Sequence, residues 1–215
     1  MELNVLVLPG DGIVTEVTRE AVRVLRHVAA KWKHTLNITE GLLGGIAIHR
    51  TGTPFPEETA RLAAAADATL MGAVGLPEFD NAPPAKRPEK GLLGIRQALG
   101  VYANLRPVRA YASQLDSSPL KNHLVEGTDM IIVRELTGGI YYGTPRGITG
   151  DGAETRAVNT MTYTRAEIER VARMAFHLAR ARRKKVTSVD KSNVLEYSQL
   201  WRRVVTEMGK DYPDV

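Results

Sequence analysis

The chain contains no cysteine in 215 residues. That removes disulfides, thiolate metal sites and a thiol nucleophile together, and it suits a reducing, cytoplasmic compartment. No run of about 18 apolar residues occurs, so no membrane span is expected. The opening MELNVLVLPGDG has no basic region ahead of a hydrophobic stretch, and no secretory signal is expected from it. Neither GxGxxG nor a Walker pattern is present, which leaves a Rossmann dinucleotide site unsupported. The five histidines, His27, His34, His49, His123 and His177, lack metal-ligand spacing. Net charge of +5 and a pI near 9.5 raise the question of nucleic acid. The densest basic run, Arg180 to Lys185, has no aromatic residue among its charges for base stacking. It closes a helical pattern, where cations complement the helix dipole, so a solvated helix end is expected there. No internal repeat and no low-complexity segment interrupts the chain.

What remains is an ordinary globular balance, 43% hydrophobic and 25% charged, enough for a core. Asn4–Leu8 (NVLVL) reads as a buried strand, followed by the punctuation Pro9-Gly10-Asp11-Gly12. Val14, Val17, Ala21, Val24, Leu25 and Val28 then recur at helical spacing and predict an amphipathic helix. Leu36–Glu40 reads as a second strand, Gly41–Gly45 as a loop, and Pro56–Ala66 as a helix with Glu57 and Glu58 in its first turn. Ala68–Val74 reads as a third buried strand, and Gly75–Lys90, rich in proline and charge, as a loop leaving its end. Strands alternating with helices predict an α/β fold with a mostly parallel sheet, whose ligands lie beyond the carboxyl ends of the strands.

Further along, Ala103–Tyr111, Asp129–Val133 and Val186–Val189 read as strands, with a helical turn near Pro119–Glu126. Arg165–Arg183 and Leu195–Met208 read as helices, the first with Ile168, Val171, Ala172, Ala175 and Leu178 on one side. Thr144–Thr162 is glycine-rich and polar and, taken alone, reads as a flexible surface loop. Three arginines stand beside apolar runs: Arg96 at the polar edge of a short helix, Arg106 before a proline ending an extended run, and Arg134 closing MIIV. A guanidinium offers a planar fork matched to a carboxylate, so three at element ends suggest a small polyanion site. Position alone would equally describe ordinary surface arginines.

The motifs around them are more specific. GLLGIRQ…YANLRPV, IVRELTGGIYYG and SVDKSNVLE, in this order and at these spacings, resemble the metal-dependent β-decarboxylating dehydrogenases, the isocitrate/isopropylmalate dehydrogenase family. The resemblance runs from Leu6 to Val215 and covers the first part of the longer family chain. It implies an α/β fold of parallel and mixed sheets with flanking helices in two domains, 1–102 and 103–215, the first lacking its C-terminal strands. Residues from about 144 to 162 become an arm that clasps a second subunit in a homodimer.

The resemblance also implies a chemistry: oxidation of a 3-isopropylmalate-like hydroxy-dicarboxylate by NAD, then loss of carbon dioxide. Arg96, Arg106 and Arg134 fall on the substrate-carboxylate positions, and Leu92 and Leu93 where the isopropyl group packs. Tyr141 falls on the proton-donating tyrosine. Lys191 falls on the lysine that takes the hydroxyl proton, which the family places in the neighbouring subunit's site. Ile13, Gly75, Leu76, Pro77, Glu78, Phe79, Asp80, Glu89 and Asn193 fall on cofactor-adjacent positions. Leu76 and Lys90 stand where the family commonly has glycine and threonine, and Val14 and Thr15 where it has glycine and proline. The family's Mg or Mn ligands and its adenine-binding loop lie beyond the position of Val215, so no metal ligand is expected within this chain. An active enzyme, a truncated non-catalytic paralogue and a tartrate- or malate-type relative all remain open. A sheet short of strands would leave edges and apolar faces uncovered, so instability or association of the isolated chain is also expected.

Overall fold

The computed structural model describes residues 1–215, the side chain of Ala85 excepted. The chain forms two compact units, Met1–Gly100 and Val101–Val215.

The first unit is α/β. Strand β1 (Glu2–Leu8) is followed by helix α1 (Val14–Lys31), β2 (Thr35–Glu40), α2 (Gly45–Thr51), α3 (Glu57–Ala65), β3 (Ala68–Met71) and α4 (Pro88–Ala98). The three strands are parallel in the order β2-β1-β3. Central β1 carries the continuous apolar run of a strand covered on both faces, and Val5 to Leu8 are all buried. Leu6 and Leu8 pack with Leu43, Ala63 and Ile95, and Phe55, Leu62 and Val74 close round them. Each fully buried leucine contributes about 1.5–3 kcal/mol of hydrophobic stabilisation. Glu57 and Glu58 do occupy the first turn of α3, where its dipole favours them.

One expectation fails in this unit, and another is met with a refinement. The strand expected over Ala68–Val74 stops at Met71 and is only half-buried, because β3 pairs with β1 alone and leaves its other edge open among the described residues. Helix α1 forms, with an apolar sector wider than the part that is covered. It turns Thr18 and Ala29 inward with Val14, Val22 and Leu25 beside them, and leaves Val17, Val24 and Val28 exposed. Periodicity alone does not say which edge of that sector faces the sheet.

The second unit is built on an antiparallel pair, β4 (Ala103–Arg109) and β5 (Asp129–Glu135), joined through the short helix α5 (Asn122–Val125). Pro107 fits a strand with one unpaired edge. A small antiparallel hairpin, β6 (Gly147–Thr149) and β7 (Arg156–Val158), occupies the stretch read as a loop. Helices α6 (Arg165–Arg180) and α7 (Glu196–Gly209) pack on each other through Ile168, Ala172, Phe176, Val204 and Met208, joined by Tyr212, whose ring stacks on Phe176 at 4.5 Å. Thr164 and Glu167 form a capping box at the start of α6.

Here too there are corrections. Helix α6 ends at Arg180, three residues early, and Lys184 takes a left-handed conformation. The basic run therefore lies in a turn, where Arg180 pairs with Asp214 and Arg182 with Asp129. Residues 186–189 form no strand, and Val189 is 85% exposed. Val186, Thr187 and Val189 favour strands, but without a partner strand they have no ladder to join.

Candidate functional site

In the first unit the polar turn after β1 is held by one carboxylate. Asp11 is buried, and its oxygens accept the backbone N–H groups of Gly45 at 2.7 Å, Ile46 at 2.8 Å and Gly75 at 2.8 Å. The turn fits because Gly10 takes φ +84°, where a Cβ would also run into the Ala73 carbonyl. This carboxylate ties the start of α2 and the loop after β3 to the turn that opens α1. It draws the turn bearing exposed Ile13 and the loop bearing Gly75 and half-buried Leu76 together, with Leu76 against Gly12. Pro77, Glu78 and Phe79 form a single helical turn, followed by exposed Asp80. Glu78 is paired with His49 at 2.9 Å and the Phe79 ring lies 5.4 Å from the same imidazole. Pro88 starts α4, so the last residues of the segment read as a loop are helical.

Helix α4 presents Glu89, Leu92, Leu93 and Arg96 at i, i+3, i+4 and i+7, which is one face. Leu92, Leu93 and Arg96 are half-buried, and the Glu89 carboxylate reaches over Gly75. The helix is seated by Gly91 against the Pro54 carbonyl and Gly94 against the Phe55 ring, where side chains would not fit. The two leucines, the arginine and the glycine loop are thus contiguous within the unit.

In the second unit Arg134 lies opposite Asn104, and Arg106 lies two residues further along β4, opposite Ile132. Opposed residues of an antiparallel pair share a face, so both guanidinium stems rise from one side of the β4–β5 ribbon. Arg106 stands inside β4, which continues past Pro107 to Arg109, and Glu135 rather than Arg134 closes β5. Arg134 Nη2 donates to the Tyr141 hydroxyl at 3.1 Å, and its guanidinium lies 5.5 Å from the centre of that ring. Tyr141 is 47% exposed, so the pair is open to a ligand. A guanidinium beside a phenol oxygen can hold an anionic group and supply a proton to the same molecule.

Behind that pair lies a buried network. Glu135 Oε2 accepts from Gly138 N at 2.8 Å, while Oε1 accepts from Thr137 N and Oγ1 and from Arg170 Nη2 at 3.0 Å. The Arg170 guanidinium also sits over the Tyr102 ring at 4.8 Å. Tyr163 packs on Gly138 and Gly139. Burial, reinforced by the Glu135 charge, raises the Tyr163 phenol above its ordinary pKa and keeps it neutral.

Lys191 and Asn193 lie in an exposed segment ahead of α7. Asp190 anchors it, accepting both Arg202 nitrogens at 2.9 and 3.0 Å and the Ser192 N–H at 3.0 Å. That guanidinium, then the amide, holds the Asp190 carboxyl below the usual carboxylate range. Lys191 N donates to buried Ser198. Lys191 is exposed and forms no hydrogen bond to Tyr141 among the described residues. Sequence reasoning missed Asp11, Glu135 and Arg170. The available signals were an aspartate between two turn glycines and a glutamate at the last position of an apolar strand.

For a divalent cation, no group of three His, Asp or Glu side chains comes together among the described residues, so the side chains present do not fit a metal. For a nicotinamide cofactor, exposed Ile13 and half-buried Leu76 beside the Gly75 backbone offer apolar surface suited to a planar ring. No helix is long and apolar enough to cross a membrane.

The family described as isocitrate/isopropylmalate dehydrogenase matches residues 4–215. The 3-isopropylmalate dehydrogenase of Geobacillus kaustophilus is 57% identical over 212 residues, covering 99% of this chain and 57% of that protein. The Aquifex aeolicus enzyme of the same name is 54% identical, with 99% and 58% covered. Among solved structures, isocitrate dehydrogenase from Methylococcus capsulatus superposes with a TM-score of 0.81 at 28% identity, covering 99% of this chain and 58% of that one. A β-decarboxylating dehydrogenase from Thermococcus kodakarensis gives 0.69 at 32% identity, with 97% and 55% covered. The chain spans somewhat more than half the length of these relatives. With a family match across nearly all its residues and identity above one half to curated members, the chain belongs to the isocitrate/isopropylmalate dehydrogenase family.

Proposed function

We propose that this chain carries the substrate-clamping and proton-donating part of an NAD-linked dehydrogenase that converts 3-isopropylmalate to 4-methyl-2-oxopentanoate and carbon dioxide, a step of leucine biosynthesis, in a cytoplasmic homodimer. The observation that carries this reading is the Arg134–Tyr141 pair at 3.1 Å, on the ribbon face that also bears Arg106. Arginine forks at Arg96, Arg106 and Arg134 hold the two substrate carboxylates. Leu92 and Leu93 receive the branched alkyl group and disfavour isocitrate, whose third carboxylate needs a polar partner. NAD supplies the acceptor for the hydride leaving C2.

Lys191, contributed across the dimer, takes the C2 hydroxyl proton as the carbonyl forms. The C3–carboxylate bond then breaks, carbon dioxide leaves, and the electron pair passes into an enolate. Tyr141 protonates C3 to give the ketone, with Arg134 beside its oxygen to bear the resulting negative charge. No step is assigned to a metal, since the described side chains do not assemble ligands for one.

The alternative is a non-catalytic paralogue that keeps the arginine face and the dimer arm. A steady-state assay of the purified chain with 3-isopropylmalate, NAD and Mn²⁺ separates the two. Turnover refutes the non-catalytic reading. Binding of another subunit without turnover, alone or with the remaining part of a family chain added, refutes the enzyme reading.

A further inference from the structure

The end of β5 does two things at once. Successive strand residues face opposite sides, so Arg134 rises toward Tyr141 while Glu135 turns to the side covered by α6. The Glu135 side chain is 2% exposed. A carboxylate that deeply placed needs a full set of donors, and here it has them: two backbone N–H groups of the following turn, the Thr137 hydroxyl and Arg170. Thr137 is bound again from the other side, its hydroxyl accepting from Arg170 Nη2 at 2.8 Å.

The turn so fixed leads straight into the residues that carry Tyr141. Gly139 takes φ +69° with the Tyr163 hydroxyl where a Cβ would be, and its N–H donates to Thr162 O at 3.0 Å. The helical turn Gly139–Tyr141 follows, closed by Gly143 N to Gly139 O at 2.9 Å. Arg146 donates to the Tyr141 carbonyl. Without the carboxylate, three donors of the 137–138 turn lose their acceptor and the loop has no fixed start.

We propose that Glu135, held by Arg170, is a positioning residue: its carboxylate fixes the turn that returns the Tyr141 hydroxyl to Arg134. The catalytic consequence rests on reading Tyr141 as the proton donor, whereas the structural one does not. The test has two arms for that reason. In the chain itself, NMR of Glu135→Gln compares nuclear Overhauser contacts between the Tyr141 ring and the Arg134 side chain with those of the wild type. The expected result is loss of these contacts while amide resonances of α6 and α7 stay in place. Retention of the contacts in a folded variant overturns the proposal. Should Glu135→Gln fail to fold, Thr137→Ala takes its place. It removes the hydroxyl shared by Glu135 and Arg170 and is expected to weaken the same contacts; unchanged contacts again overturn the idea.

In an assembly that turns over, Glu135→Gln is expected to lower kcat about 10- to 100-fold with KM for the hydroxy acid much less affected, the size of loss that follows from a misplaced donor. The double variant Glu135→Gln/Arg170→Met removes both charges of the buried pair and is expected to recover thermal stability without recovering kcat. Recovery of both together would show a purely structural role and sink the proposal. If the NMR contacts change but no assembly turns over, it is the functional reading of Tyr141 that has failed.

Discussion

Replacing Asp11 by asparagine isolates one buried charge. The shape is kept, but only one of the two side-chain termini can accept. In the wild type Oδ2 takes the N–H groups of Gly45 and Gly75, and Oδ1 takes Ile46. The asparagine will keep its oxygen on the two-donor side, which turns its NH₂ toward the Ile46 N–H. One charge-assisted bond is lost, two are weakened to neutral strength, and two donors face each other. Charged hydrogen bonds contribute about 1.5–3 kcal/mol each and neutral ones nearer 1. Relief of the buried carboxylate's desolvation offsets part of the loss. The net expectation is a destabilisation of about 2 kcal/mol, which for a unit of this size lowers Tm by about 8–16 °C. Hydrogen exchange supplies the residue-level assay: the Ile46 amide should exchange far faster, Gly45 and Gly75 moderately so, and β1 amides only in step with global stability. Asp67→Asn is the control. Asp67 accepts from Asn4 N at 2.8 Å and Nδ2 at 3.3 Å in an exposed position and should cost well under 1 kcal/mol. If the Asp11 and Asp67 variants melt within about 0.5 kcal/mol of one another and Ile46 exchange is unchanged, the buried carboxylate does not hold the turn.

Gly139→Ala should destabilise the second unit by about 2–3 kcal/mol, since it combines a left-handed conformation with a collision against Tyr163; urea unfolding followed by tryptophan fluorescence reads it. Asp190 and Asp214 have folded-state pKa values below the ordinary carboxylate value, through Arg202 and Arg180 respectively. Their contribution is therefore present above about pH 5 and lost as pH falls through the region below 4, and an acid urea series should show a shallower decline in Asp190→Asn. Tyr163 has the opposite dependence, its raised phenol making the unfolded state gain by ionising first, so stability should fall above about pH 10 in the wild type and less in Tyr163→Phe. In any active assembly Lys191→Ala should abolish turnover while Arg183→Ala, whose guanidinium binds the Asp129 carbonyl, leaves it nearly unchanged. Equal losses would reject the assignment of Lys191.

The sequence patterns that read correctly were those whose partners are nearby or whose environment is symmetric. The run Val5–Leu8 is apolar at every position and becomes the buried part of a strand covered on both faces, whichever way it faces. The stripe Ile168, Val171 and Ala172 on α6 is buried because that helix has one apolar side. On helix α1 the apolar sector is wider than the part that is covered, and which edge of it faces the sheet depends on the sheet's position, which no local pattern contains. Residues 186–189 have strand-forming side chains and no neighbouring strand, so intrinsic preference went unrealised. The arginines could be singled out by their motifs, yet their common face depends on the register of β4 against β5. Asp11 and Glu135 were invisible for a different reason: all of Asp11's partners and half of Glu135's are backbone amides, which carry no residue identity, and for Asp11 they come from segments 34 to 64 residues away.

The alternation at the end of β5 explains why the arginine and the glutamate must be adjacent. A clamp that carries charge on an exposed face needs its backbone fixed, because an error of about 1 Å in a reacting group is costly. Hydrogen bonds on the same face would compete with the ligand for the guanidinium. Placing the anchor one residue later sends it through the strand to the dry side, where Arg170 and three donors of the turn satisfy it without touching Arg134. The anchor also acts on the chain that follows, so it orients Tyr141 by the same bonds that fix the strand. Moving the carboxylate by one position would put it beside the arginine it supports, where the two would neutralise each other and leave neither a clamp nor an anchor. Exchanging residues 134 and 135 as a pair should therefore be far worse than the sum of the two single alanine variants, and additive losses in a double-mutant cycle would contradict this account.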